Sequence, residues 1–191
     1  MAIEHVNIPD GERHEPKGID SASSGQIYVR GATATGAWEY PMGQAYAEIY
    51  ITSGSTAQTL NSSAGTYDLL NPTSEWTANG TAILTTTAAS GQINLDVAGT
   101  YFITSWVEFT APSGSAGDTY TFKYALGGTT APRSIRVAKT QTGTEPLAFS
   151  ASGIVTATAG QALALYAASS VSSPSITVTE AGFSAILMAE T

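Results

Sequence analysis

The clearest pattern along the chain is alternation of apolar and polar positions, in short stretches punctuated by glycine, proline and serine. Gly99 to Thr110 shows it best. Tyr101, Ile103, Ser105, Val107 and Phe109 fall on one side, and Phe102, Thr104, Trp106 and Glu108 on the other. A period of two is that of a β-strand. Both sides carry aromatics, so both are expected to be covered, one by an opposing sheet and the other by a further partner. Gln44 to Thr52 also alternates, with Ala45, Ala47, Ile49 and Ile51 opposite Tyr46, Glu48 and Tyr50. Asp118 to Leu126 sets Tyr120, Phe122, Tyr124 and Leu126 on one side. Near the end, Phe183, Ala185 and Leu187 alternate with Ser184, Ile186 and Met188. A terminal strand so apolar belongs inside a sheet rather than at a free edge.

Shorter segments fill in the rest. Thr66 to Leu70, Thr81 to Thr85, Gln92 to Val97, Ser134 to Lys139 and Ile176 to Val178 read as strands. Leu147 to Thr158 reads as a long strand bent at Gly153. After Gly160, Leu163, Leu165 and Ala167 lie opposite Ala164 and Tyr166. Gly127-Gly128 is a turn signal, and Pro112 to Gly117 and Ser169 to Ser175 are loops. Eight to ten strands without a helical stretch predict an all-β sandwich or barrel over residues 42–191.

Residues 1–41 follow no such pattern. Pro9-Asp10-Gly11 and Pro16-Lys17-Gly18 are turn signals, and Ser21 to Gly25 is a flexible joint. Gln26 to Arg30 reads as a short strand, broken by Gly31 to Gly36 and followed by Ala37 to Pro41. Ile3, Val6, Ile8, Ile19 and Trp38 are too sparse for a core of their own. They suit the grooves of another protein, so the segment reads as an extended attachment arm.

Composition narrows the functional classes. Fifteen acidic residues against seven basic ones give a net charge of −8, which repels a phosphate backbone and argues against nucleic-acid binding. The one basic cluster, Arg133, Arg136 and Lys139, reads as a solvated strand face, or more sharply as a patch meeting acidic surface on a neighbouring subunit. The absence of cysteine excludes disulfides, thiol catalysis and Cys-ligated zinc. No apolar run reaches the length of a membrane span, and the first residues lack the features of a signal peptide, so neither is expected.

Candidate chemistry is thin. His5, Asp10, Glu12, His14 and Glu15 supply metal-ligating types, but the turn at Pro9 to Gly11 offers no register that would converge them. No metal or cofactor is expected. There is no Gly-x-Ser-x-Gly elbow and no histidine after residue 41. Asp68, Glu75, Asp96, Glu108 and Asp118 supply carboxylates for glycoside hydrolysis or calcium, yet acids in loops are usually solvated and no EF-hand spacing is present. An enzyme is not expected. Tyr46, Tyr50, Trp76, Trp106, Tyr120, Tyr124 and Tyr166 are core, subunit interface or a sugar platform. Trp76, in a loop-like stretch, is the candidate glycan contact.

Three segments in order resemble the jelly-roll domains of the C1q and tumour-necrosis-factor superfamily. Asp96-Val97-Ala98-Gly99-Thr100-Tyr101-Phe102-Ile103 resembles that family's P-x-x-G-x-Y-x-F strand. Thr158-Ala159-Gly160-Gln161-Ala162-Leu163-Ala164-Leu165 resembles L-x-x-G-D-x-V-x-L, with Gln161 where the family usually has Asp. Gly182-Phe183-Ser184-Ala185-Ile186-Leu187-Met188 resembles the terminal F-S-G-F-L-L, with Ala185 in place of Gly. The resemblance implies a jelly-roll β-sandwich that assembles as a homotrimer. With the uncovered side of the Gly99 strand, it predicts Phe102, Trp106, Tyr46 and Tyr50 at the trimer interface.

Asn7-Ile8-Pro9-Asp10-Gly11-Glu12-Arg13-His14-Glu15-Pro16-Lys17-Gly18 resembles the N-terminal segment of small structural proteins of tailed bacteriophages. That implies docking onto a virion through Ile3, Val6, Ile8, Arg13, Lys17 and Ile19. The expected role is a capsid head decoration or cement protein, or a short head fibre. Such a protein would be made in the host cytoplasm and carried on the outside of the particle. The rival is a tail-fibre tip that binds a host surface glycan.

Overall fold

The computed structural model describes residues 27–30, 36–39, 45–61, 66–71, 75–81, 83–111, 115–130, 135–171 and 173–191. In chain order the strands are β1 (Ile27–Arg30), β2 (Gly36–Glu39), β3 (Tyr46–Ile51), β4 (Ala57–Thr59), β5 (Asp68–Leu69), β6 (Thr77–Gly80), β7 (Thr85–Thr87) and β8 (Gln92–Leu95). They continue as β9 (Gly99–Ala111), β10 (Thr119–Leu126), β11 (Thr129–Thr130), β12 (Ile135–Ala138), β13 (Glu145–Ala157), β14 (Gln161–Ser169) and β15 (Ser175–Glu190). β1 and β2 pair antiparallel as a two-stranded sheet of their own. The remaining strands form two antiparallel sheets. One has the order β13-β9-β15-β3-β6, with β4 also on β15; the other has the order β11-β10-β14-β8-β7, with β12 on β10 and β5 on β14.

The alternation along β9 sets the layering. Tyr101, Ile103, Ser105, Val107 and Phe109 are buried, and the intervening residues are half-buried or exposed. Phe183, Ala185 and Leu187 of β15 and Ala47 and Ile49 of β3 share that inner face, while Tyr120, Phe122, Leu163, Leu165, Ile93 and Leu95 come from the other sheet. Phe109 meets Tyr120 edge-on at 5.2 Å, and Phe122 stacks on Phe149 at 4.3 Å. Such pairs add a directional term to area burial.

Two tyrosines, the buried Tyr101 and the half-buried Tyr124, use their hydroxyls. Tyr101 donates to the Val97 carbonyl at 2.6 Å, and burial pushes its pKa up to about 12. Tyr124 donates to the Ala151 carbonyl at 3.2 Å and accepts from the Ser105 hydroxyl at 2.9 Å, an assignment that uses each proton once.

β15 lies between β9 and β3, so the apolar terminal strand is central in its sheet, as its pattern required. Other expectations are corrected. Thr81 to Thr85 is not a strand: Ile83 and Leu84 turn, and the strand begins at Thr85. Leu84 is buried as a plug at this turn, so its apolarity reflects a single anchor and not an alternating face. The long strand through Gly153 is present, and β13 pairs with β9 residue by residue from Glu145 opposite Ala111 to Ala157 opposite Gly99. β4 and β6 carry no alternating signal. They are polar and held by backbone pairing to β15 and β3.

The basic cluster is also dispersed. Arg136 is exposed on β12, but Lys139 is buried. Its ammonium turns inward and donates to the carbonyls of Ala111 and Gly143. The carboxylate of Glu145 closes the same loop by accepting from the Thr140 hydroxyl at 2.6 Å and from the Thr140 and Gln141 amides. These bonds, chiefly the Thr140 hydroxyl, hold its pKa below the ordinary glutamate value. Lys139 is therefore an internal tie and presents no surface to a neighbour. Arg133 lies outside the described residues.

Candidate interaction face

The candidate site is the outward face of the β13-β9-β15-β3 sheet, and its geometry follows from the register. Ile154 stands beside Phe102, Phe102 beside Ile186, and Ile186 beside Tyr46, one residue from each of four adjacent strands. This is an apolar row running straight across the sheet. Ile154 is 68% exposed and Tyr46 41% exposed, while Phe102 and Ile186 are half-buried. Met188 extends the patch and is 36% exposed, at a register shift where β15 bulges against β9.

The next row is polar: Ser152, Thr104, Ser184 and Glu48. The hydroxyls of Thr104 and Ser184 bond to each other at 2.7 Å. A third row runs Ser150, Trp106, Gly182 and Tyr50. Gly182 is required here, because a Cβ at this position would sit 2.1 Å from the Trp106 ring. The indole therefore lies flat over the glycine instead of projecting. Beyond it, Glu108 and Glu180 are direct cross-strand neighbours, both exposed. Like charges set directly opposite repel.

Phe102, Trp106, Tyr46 and Tyr50, the four residues singled out from the sequence as an interface, thus share this one face. Ile154, Ile186, Met188 and Gly182 were missed. Their signal was present in part, since Ile186 and Met188 alternate with Phe183 in the last strand. Ile154 needed the β13–β9 register to be seen. The arm residues Ile3, Val6, Ile8, Arg13, Lys17 and Ile19 lie outside the described residues, as do His5, Asp10, Glu12, His14 and Glu15.

Trp76 is a correction. It is only 6% exposed and packs edge-on against Phe183 at 5.8 Å. A ring buried against the core offers no platform to a sugar. Its stretch reads as loop in the sequence, but the segment runs directly into β6, and the ring is buried.

The candidate carboxylates are mostly turn anchors. One oxygen of Glu75 accepts from the amide and hydroxyl of both Ser55 and Thr56. These bonds, led by the Ser55 amide, hold its pKa below the ordinary glutamate value. Asp68 accepts from the Asn61 amide, Asp96 from the Thr85 amide and Asp118 from the Ser115 amide. Glu108 stands apart from them on the outer face. Among the described residues no group of three His, Cys, Asp or Glu side chains is placed to hold a metal ion, and no helix is long and apolar enough to cross a membrane.

Comparison with solved structures identifies the fold. The chain is similar to the globular domain of zebrafish complement 1qA protein, with a TM-score of 0.50 and 13% identity, covering 78% of this chain and 99% of that one. A second similar structure is the Eiger TNF from S. frugiperda, with a TM-score of 0.48 and 10% identity, covering 78% and 95% of the two chains. The body is therefore a jelly-roll sandwich of the C1q-like type. No family model matches the chain, and no curated protein does.

Proposed function

We propose that this chain is a non-enzymatic structural protein that assembles as a homotrimer through the outward face of the six-stranded sheet. The observation that carries this reading is the apolar row of Ile154, Phe102, Ile186 and Tyr46. A soluble β-sheet ordinarily alternates apolar-in with polar-out. A row of large apolar side chains on the outer face is instead the mark of a surface that meets a partner. The sandwich resembles a family whose members trimerise, which makes a further copy the natural occupant.

The second half of the proposal concerns residues 1–41. Their likeness to the leading segment of tailed-phage structural proteins supports a virion role: a head decoration or cement protein, or a short head fibre, docked by the arm on the outside of the capsid. Three arms on one trimer multiply weak contacts through effective concentration. Arms reaching neighbouring capsomers would brace the shell against the pressure of packaged DNA. Carboxylates engaged as turn anchors support a non-enzymatic role, and the burial of Trp76 removes the main support for a glycan-binding tip.

Two measurements test the two halves separately. Light scattering at micromolar concentration is expected to give the mass of a trimer, and a monomer would end that part of the reading. Removing residues 1–41 is expected to leave a folded trimer that no longer attaches to particles. Normal attachment of the shortened protein would show that the arm is not the anchor.

A further inference from the structure

We propose that Asn79 is a site of spontaneous deamidation. Five asparagines occur in the chain, and only Asn79 is followed by glycine. The reaction is attack of the following backbone nitrogen on the side-chain carboxamide carbon. A C–N bond closes a five-membered succinimide, and ammonia leaves. Water then opens the ring to aspartate or isoaspartate. The reaction is favoured by a following residue without a side chain, a free N–H and a backbone able to turn.

The local structure supplies all three. Asn79 and Gly80 are both exposed and end β6, an edge strand that pairs with β3 alone among the described strands. The Thr81 amide donates to the Tyr46 carbonyl at 2.9 Å. In an antiparallel ladder the bonded pairs alternate. Thr81 and Tyr46 are bonded, and so are Asn79 and Glu48, which places the Gly80 N–H on the open side of the strand. The nitrogen that must attack is therefore not held in the ladder. The Asn79 carboxamide makes no hydrogen bond to another described residue.

The other described asparagines lack this combination. Asn71 precedes Pro72, which has no N–H to lose. Asn94 is paired on both sides, with Thr85 and with Ala162, and precedes the buried Leu95. Asn61 precedes Ser62, whose side chain hinders ring closure.

The product has a consequence for the sheet. Asn79 stands directly opposite Glu48, so conversion sets a new carboxylate against an existing one. Like charges in that position weaken pairing. Deamidation would thus loosen β6 at the rim of the outward face.

The test is to age the full chain at mildly alkaline pH beside the free peptide Thr77-Ala78-Asn79-Gly80-Thr81, and to map acid formation by mass spectrometry with isoaspartyl methyltransferase labelling. Conversion is expected first at Asn79, at a rate within about tenfold of the peptide's, as suits an edge segment of low local stability. Asn79→Gln is expected to abolish the signal with the fold intact. An intact amide at Asn79 after the peptide has fully converted would overturn the site, as would earlier conversion at Asn61 or Asn94. For the consequence, Asn79→Asp is expected to speed amide exchange across Thr77–Gly80 by roughly two- to fivefold at neutral pH. Unchanged exchange there would show that the added charge does not loosen the strand.

Discussion

The two sheets share one core and differ in what they show to the outside. The outward face of the β10-β14-β8 region carries Thr121, Lys123, Tyr166, Gln92 and Asn94, at positions set by the β10–β14 and β14–β8 registers. Lys123 lies over the Tyr67 ring at 4.7 Å, a cation–π contact between two half-buried side chains. The outward face of the β13-β9-β15-β3 region carries Ile154, Phe102, Ile186, Tyr46, Trp106 and Tyr50. The inner faces of both obey the same alternation, so core packing alone does not explain the contrast. One face is lined by half-buried polar side chains with small alanines between them; the other carries a row of large apolar ones.

The sharpest way to break that comparison is to charge each face in turn. Phe102→Asp with Ile186→Asp is expected to weaken self-association at least a hundredfold, about 2.7 kcal/mol, by sedimentation or light scattering across a dilution series. The mirror change, Lys123→Asp with Thr121→Asp, is expected to leave association unaltered. Equal effects from the two pairs would erase the distinction.

A smaller effect is expected at the glycine trench. Gly182→Ala drives a methyl group into the Trp106 ring, and overpacking of this kind costs roughly 1–3 kcal/mol. Chemical denaturation would measure the loss, and a red-shifted tryptophan emission would report the ring moving into water. Stability and emission matching the unaltered protein would mean that the indole is free to lie elsewhere.

Acid should loosen both sheets through their turns and leave the contrast between faces in place. The Glu75 and Glu145 pKa values are lowered in the fold, so their contribution is present above the ordinary glutamate pKa and is lost as pH falls through the lower folded values. Amide exchange at Ser55, Thr56, Thr140 and Gln141 is expected to rise in that acid window, before global unfolding. Glu75→Gln is expected to remove the pH dependence at Ser55 and Thr56 while leaving it at Thr140.

The smallest effect concerns the acidic end of the apolar face. Glu108→Gln relieves a direct cross-strand repulsion from Glu180 and is expected to stabilise the protein by roughly 0.2–1 kcal/mol at low salt. The gain should shrink as salt is added. A salt-independent loss of stability would mean that Glu108 has a favourable partner instead.

Much of this was legible in the chain. Period-two alternation is a local property, and wherever it is long, as in β9, β10 and β15, it assigned the strand and sorted inner from outer residues together. It failed where a strand is made by its neighbours. The polar β4 and β6 exist through backbone pairing to β15 and β3. Trp76 looked like a loop aromatic because sequence does not show which way a ring turns. Lys139 looked like surface charge, since its burial depends on carbonyls more than twenty residues away at Ala111 and nearby at Gly143.

By itself, the sequence determined the fold class, the central place of the last strand, the face that holds Phe102 and Trp106 and the absence of any thiol chemistry. These follow from the spacing and type of side chains within single strands, which any antiparallel partner must respect. Only the tertiary structure decided the apolar row. Ile154, Phe102, Ile186 and Tyr46 are far apart in the chain, and their alignment depends on three strand registers at once. A shift of one residue in any register would turn one of those side chains to the opposite face. The β3–β6 register aims the Gly80 amide away from β3, and the β15–β9 register lays Trp106 on Gly182, because pairing between strands, unlike alternation within one, is settled only when the whole sandwich closes.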